Sequence, residues 1–376
     1  MKLSQLKLSD ELVNSSERTL REALPPDGLR PRLVLTLDGG GMRGFFQAKV
    51  LERLLPFLGR RGEGAFDLVA GTSTGGISAL ALAVPEMSGR HRTPSDIASF
   101  FQTYGPQIFP ASAHRKLSQW VRSKHRRGPL DSALRDTFGD RLFSAADMRV
   151  VVPAYDAADH TMTWFDSAAL RDQTVRNHWR SLTGRPPLLD PPAWQVAAAT
   201  AAAPTYFDPV RAHGRVWLDG GLGANDPTPV AMALAHADLT QTRKNLLADD
   251  RLRSIHTYPK IWVLSIGTGR TPPDSRWRRG RLGFAFGLPQ AFMYPSALTA
   301  EFAVQSMADV QEVTANNQFG RVFSVLRVDP PESMAQLPLD AATPAAFDEM
   351  ERGVGEALAR TSFIIDFAMF AAASRL

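Results

Sequence analysis

Cysteine is absent from all 376 residues. That removes a disulfide framework, a thiolate nucleophile and any cysteine-based zinc site. No stretch approaches 18 uninterrupted apolar residues, so no membrane-spanning helix is expected. The opening residues, MKLSQLKLSDELVNSS, lack the basic-then-apolar layout of a secretory signal, and a cytoplasmic address is expected. Histidine is sparse, with eight residues, and none stands in a telling context. His91, His114 and His125 lie in charged helical text, His160 in a turn, and His213 before Gly214 in a hairpin. A histidine-based triad has no visible third member. Internal repeats and linkers are missing too.

What is present reads as a globular chain, 44% hydrophobic and 22% charged. The formal charge of +5 and pI of about 9.7 favour anionic partners such as lipid headgroups or nucleotides, and equally suit a merely arginine-rich composition. RLVLTL (32–37) predicts a buried strand and GFFQAKVLERLLPFL (44–58) a helix; AFDLVAG (65–71) and GGISALALAV (75–84) repeat the pattern. Residues 92–147 are helical and charged. MRVVVPAYD (148–156), RVWLDGG (215–221) and KIWVLSIGTGR (260–270) read as strands, and 191–203 as a small-residue helix stopped by Pro204. Such alternation predicts an α/β sheet covered by helices. The simplest division is a polar leader, 1–31, and one domain, 32–376, with a motif-bearing core to residue 270 and a helical and loop extension over 271–376.

Two stretches carry chemistry. In LDGGGMRG, Gly39, Gly41 and Gly44 spell the nominal fingerprint of a dinucleotide-binding turn between strand and helix. That reading also wants an acidic residue at the end of a second strand, and Glu63 lies in a turn before it. It leaves Asp38 without a role. In GTSTGG (71–76), Ser73 stands in a G-x-S-x-G turn between strand and helix, the setting of a nucleophile elbow. Gly71 and Gly75 flank it where neighbouring backbone leaves no room for a side chain. Beside a serine nucleophile, the amides of Gly39, Gly40 and Gly41 serve an oxyanion as readily as a pyrophosphate. Arg43 would fix that turn or meet a phosphate. Asp219, before Gly220, ends a strand where open α/β sheets build sites, although Asp-Gly also makes ordinary hairpins.

Together these blocks resemble the patatin-like phospholipases. DGGGMRG (38–44) looks like the family's oxyanion block, GTSTGG its nucleophile block and DGG (219–221) its aspartate block. AAAPTYF (201–207) and VLSIGTG (263–269) are similar to two further family segments. The resemblance implies a three-layer α/β/α fold with a mostly parallel sheet. It implies a Ser73–Asp219 dyad without histidine, an oxyanion hole at Gly39–Gly41, and hydrolysis of phospholipid or lysophospholipid acyl esters with neither metal nor cofactor. The partner is then a phospholipid membrane surface, reached peripherally from the cytoplasm, and no nucleic acid. A homo-oligomer stays open.

RKLSQWVRSKHRR (115–127) and RWRRGRLGFAFGLPQAFMYP (276–295) mix arginines with aromatics, as an interfacial helix or docking loop would, or as a solvated face over core aromatics would. PLDSALRDTFGDRLFSAADMRVVVPAYD (129–156) is similar to the bacterial subgroup paired with cyclic-oligonucleotide synthases in antiphage defence. That implies a cyclic di- or trinucleotide activator. Alternatives are a dinucleotide-dependent oxidoreductase, a constitutive lipase, and a non-catalytic lipid- or nucleotide-binding protein on the same fold.

Overall fold

A computed structural model describes residues 7–23, 30–59, 66–110, 123–183, 190–246, 261–269 and 323–376. Strands β1 (Arg32–Leu37), β2 (Leu68–Gly71), β3 (Arg149–Asp156), β4 (Thr161–Asp166), β5 (Val210–Ala212), β6 (Arg215–Asp219), β7 (Ile261–Ile266) and β8 (Phe323–Val328) form one sheet. Its order is β5-β6-β3-β2-β1-β7-β8, with β4 added to β3. The run from β3 through β2, β1 and β7 to β8 is parallel. β4 and β6 run antiparallel to β3, and β5 antiparallel to β6.

Central strands such as LVAG and IWVLSI are buried along their whole length because both faces of the sheet are covered. Along β1, Leu33, Leu35 and Leu37 enter one core while Val34 enters the other, as a period of two requires. Among the described residues the helices in chain order are α1 (Asp10–Ala23), α2 (Gly44–Leu54), α3 (Thr74–Ala83), α4 (Pro94–Ile108), α5 (Gly128–Phe138), α6 (Ser167–Arg171), α7 (Gln173–Thr183), α8 (Ala193–Thr200), α9 (Gly221–Ala224), α10 (Thr228–Leu246), α11 (Glu332–Ala335), α12 (Pro344–Leu358) and α13 (Thr361–Ala373). Residues of α1–α5, α8, α12 and α13 fill the larger core, and residues of α6, α7 and α10 the smaller one on the opposite face. The fold is three-layered, as expected.

The expected helix over 44–58 ends at Leu54, and Pro56 sits in a short 3-10 turn, Leu55–Phe57, because proline cannot continue the hydrogen-bond ladder. The 92–147 stretch holds α4 and α5. Thr93 caps α4 in a reciprocal box with Asp96. The polar leader contains α1, whose Val13 and Leu20 are buried in the larger core. Strands β4, β5 and β8 were not anticipated. Of the two basic stretches, 115–122 and all of 276–295 lie outside the described residues.

The register explains how the site comes together. Val151 pairs with both Ala70 of β2 and Asp166 of β4, while Ala154 pairs with both Thr163 of β4 and Asp219 of β6. β4 therefore occupies one edge of β3, and β2 and β6 share the other. They meet end to end, carboxyl terminus facing carboxyl terminus.

Candidate active site

Ser73 and Asp219 sit on either side of that junction. Ser73 follows Ala70 by three residues, as Ala154, the register partner of Asp219, follows Val151. Asp219 was expected at the carboxyl end of a strand, and it stands there. That strand runs antiparallel to β3, and Asp219 reaches the serine because β3 extends beyond the end of β2.

Ser73 has φ 53° and ψ −120°, a strained conformation for a residue with a side chain. A Cβ on Gly71 would strike the carbonyl of Gly75, and one on Gly75 would strike that of Leu37, so this turn tolerates only glycine at both flanks. The strain is held by hydrogen bonds. The Ser73 amide donates to Thr200 Oγ1 at 2.9 Å, and Thr72 Oγ1 donates to Ala224 O at 2.6 Å. Ile77 N donates to Ser73 O at 3.0 Å and closes the first turn of α3. The N-terminus of that helix favours negative charge beside the serine.

The Ser73 hydroxyl faces the Asp219 carboxylate closely enough to favour its ionised form, and Gly221 N donates to Asp219 Oδ1 at 2.7 Å. Burial pushes the Asp219 carboxyl up from its ordinary 3.8 to about 6, and these two donors only partly oppose the rise. Asp219 N donates to Ala202 O and Gly220 N to Thr200 O, so the segment around α8 fixes both members.

The glycine loop divides its amides. Gly39 was expected to be an oxyanion donor together with Gly40 and Gly41, but its N–H is committed to Asn225 O at 3.0 Å. Its carbonyl accepts from Thr268 Oγ1 at 2.7 Å and from Asn225 Nδ2 at 3.3 Å. Among the described residues the amides of Gly40 and Gly41 have no acceptor, and they are the loop's free donors. Gly41 has φ +57°, and a Cβ there would strike Leu339 O. Met42 N donates to Leu339 O at 2.7 Å and Arg43 N to Gly40 O at 3.2 Å. A pyrophosphate would need those same first-turn amides.

Arg43 is buried and fixes the turn. Nη2 donates to Leu337 O at 2.6 Å, and Nη1 to Gly269 O and Thr268 O at 3.3 and 3.4 Å. Behind the loop, Arg327 of β8 forks onto Asp38 at 3.0 and 2.5 Å and onto Asp329 at 3.0 and 2.9 Å. Burial pushes the Asp38 carboxyl up, while Arg327 pulls it down and Asp226 and Asp329 push it up again. Thr200, Asn225, Thr268 and Arg327 escaped the sequence reading. Only Thr200 and Thr268 carried a signal, lying beside or within the AAAPTYF and VLSIGTG blocks.

A cleft of about 230 Å³ opens on Ser73, Asp219 and the glycine loop. Ile77, Phe100, Phe101, Ile108, Leu130 and Phe207 give it apolar walls fit for a hydrocarbon chain. Among the described residues no group of histidine and carboxylate side chains is arranged to hold a metal ion. None of the described helices is long and apolar enough to cross a membrane. Of the basic stretch over 115–127, Lys124 pairs with Asp340, Arg127 donates to Ala198 O at 2.8 Å and pairs with Asp131, and Arg126 is exposed.

A strained serine on a strand–helix elbow, facing a buried carboxylate beneath free backbone amides, is the architecture of a serine hydrolase on an α/β/α sheet. The Patatin-like phospholipase family profile matches residues 35–232. The chain belongs to that family. It is 30% identical over 278 residues to Patatin-like protein 2 of Oryza sativa subsp. indica, covering 65% of this chain and 62% of that protein. It is 34% identical over 197 residues to a cGAMP-activated phospholipase of Pseudomonas aeruginosa (strain BWHPSA011 / Pa011), covering 52% of this chain and 54% of that protein. The chain thus spans less than two thirds of the length of these relatives. Superposition on VipD from Legionella pneumophila gives a TM-score of 0.36 at 11% identity, over 90% of this chain and 67% of that one.

Proposed function

We propose that this protein is a lipid acyl hydrolase that works by a Ser73–Asp219 dyad. The observation that carries the reading is the strained Ser73 facing a buried carboxylate whose pKa burial raises to about 6. At that value an aspartate is still mostly ionised at neutral pH, yet is a far better base than a solvated one near 3.9. As Ser73 Oγ attacks an ester carbonyl, its proton passes to Asp219. Negative charge on the carbonyl oxygen is met by the amides of Gly40 and Gly41. The proton then leaves with the alcohol as the acyl-enzyme forms. Asp219 next takes a proton from water as it attacks the acyl-enzyme, and hands that proton to Ser73 Oγ as the acyl–Oγ bond breaks and the fatty acid leaves. The apolar cleft holds the chain and excludes water, which strengthens each of these electrostatic contacts.

The substrates in this reading are phospholipid or lysophospholipid acyl esters at the inner face of the cell membrane, met peripherally. The Pseudomonas relative bears the words cGAMP-activated in its name. Activation of this chain by a cyclic di- or trinucleotide, in membrane-destroying antiviral defence, is the regulatory half of the reading. The division into a leader, 1–31, and one domain, 32–376, goes with it.

The test is fatty-acid release from mixed phospholipid vesicles by the protein, by Ser73→Ala and by Asp219→Ala, with and without a panel of cyclic nucleotides. Release lost in both variants supports the dyad. Release that appears only with one nucleotide supports a gated effector, and release without any supports a constitutive lipase. Release that survives Ser73→Ala refutes the dyad.

A further inference from the structure

A second layer lies across the glycine loop. After β8 the chain folds back over residues 337–342, and this strap touches the loop at two adjoining places. Leu339 O accepts the Met42 amide at 2.7 Å and crowds the Cα of Gly41. Leu337 O accepts from Arg43 Nη2 at 2.6 Å and from Nε at 3.2 Å. Met42 and Arg43 directly follow the two glycines whose amides are free, so the height of the strap sets where those amides point. Leu339 also lines the apolar cleft.

The strap is fastened at its next residue, from the opposite wall. Asp340 Oδ2 lies 2.8 Å from His125 Nε2 and 2.6 Å from Lys124 Nζ. His125 is buried, packed against Phe109, Tyr206 and Phe207, three aromatic rings that line the cleft. Its backbone is tied to the same wall, Lys124 N to Thr205 O at 2.8 Å and His125 N to Tyr206 O at 2.9 Å. Against the burial that would raise it, hydrogen bonds from His125 and Lys124 hold the Asp340 carboxyl down at about 2, so it stays ionised. An ionised carboxylate this enclosed, gripped by a buried ring and a lysine, is more than the packing of a surface loop requires.

The geometry points to Asp340 and His125 as positioning residues: they latch the 337–342 strap to the aromatic wall, and through Leu339 O and Leu337 O the latch sets the oxyanion donors at Gly40 and Gly41. This inference rests on the proposed hydrolase reading. Neither residue touches the reacting atoms. Their effect is transmitted by two backbone carbonyls.

The experiment compares wild type, Asp340→Asn, Asp340→Ala, His125→Gln and Ser73→Ala on p-nitrophenyl butyrate and on the palmitate ester, with melting temperatures and fluorophosphonate labelling of Ser73. A displacement of about 1 Å in positioning groups costs up to about 10²-fold. Asp340→Ala and His125→Gln are therefore expected to lower kcat about ten- to a hundredfold on the short ester with little change in KM, to slow labelling in proportion, and to remain folded. Asp340→Asn, which keeps an acceptor for both partners, should recover part of that loss. Folded variants with wild-type kcat and labelling rates overturn the strap. So does a loss confined to KM, or one that only follows the loss of folded protein. A wild type that neither turns over ester nor labels at Ser73 overturns the hydrolase reading, and this inference with it.

Discussion

Asparagine in place of Asp219 is expected to silence the protein and stabilise it at the same time. In the fold this carboxyl titrates at about 6, up from an ordinary 3.8, chiefly because it is buried. The unfolded chain releases that proton near 4, whereas the folded chain holds it to about 6. Between those pH values the folded state binds more protons, so stability falls as pH rises. At about 1.36 kcal/mol for each tenfold in the proton equilibrium, the full difference is about 3 kcal/mol. That contribution is complete below about pH 4 and lost above about pH 6. Asp219→Asn has no charge to bury. It should match wild type in urea midpoint at pH 4 and exceed it at pH 8, by about 3 kcal/mol or about 4 °C in melting temperature for a chain of this length. Ester hydrolysis should vanish, because the amide cannot take the Ser73 proton. In the wild type, kcat/KM should be about tenfold lower at pH 5 than at pH 7, following ionisation of the base. Equal urea midpoints at pH 8, or a rate profile flat above pH 5, would refute the reasoning. Activity retained by Asp219→Asn would refute it as well.

Three further outcomes are expected. Gly41→Ala forces a side chain onto a φ of +57° and into Leu339 O, and should lower kcat by about 10²–10³, read as ester turnover and as the rate of fluorophosphonate labelling. Thr200→Val removes the acceptor of the Ser73 amide at 2.9 Å, a loss of about 1–3 kcal/mol that stopped-flow acylation should show as a reduction of about tenfold or more. Arg149→Met leaves Asp166 buried beside Trp179 Nε1 without its guanidinium partner. Urea denaturation should show a loss of about 3–5 kcal/mol, with the rate per folded molecule unchanged.

Local rules made much of this protein legible from its residues. The apolar run RLVLTL became β1 at its expected bounds, because a strand covered on both faces needs no alternation. Gly71 and Gly75 marked the elbow because the close approach of backbone there excludes every other residue. His160 and His213 were placed in turns, and both carry φ 53°. The glycine fingerprint was less decisive, since the same spacing serves two chemistries. Only the contact with Asn225 commits the Gly39 amide and leaves those of Gly40 and Gly41 free among the described residues.

The sequence by itself determined the alternation of strand and helix, the strained serine and the glycine turn, because each depends on patterning or sterics within a few neighbouring residues. Tertiary structure decided what those elements face. β2 and β6 share one edge of β3, and that end-to-end meeting brings Asp219 to Ser73 from an antiparallel strand. Arg327 of the unanticipated β8 braces Asp38, and Asp340 is gripped by His125 across the cleft. Pairings of this kind depend on strand order, register and burial, which no local pattern of residues encodes.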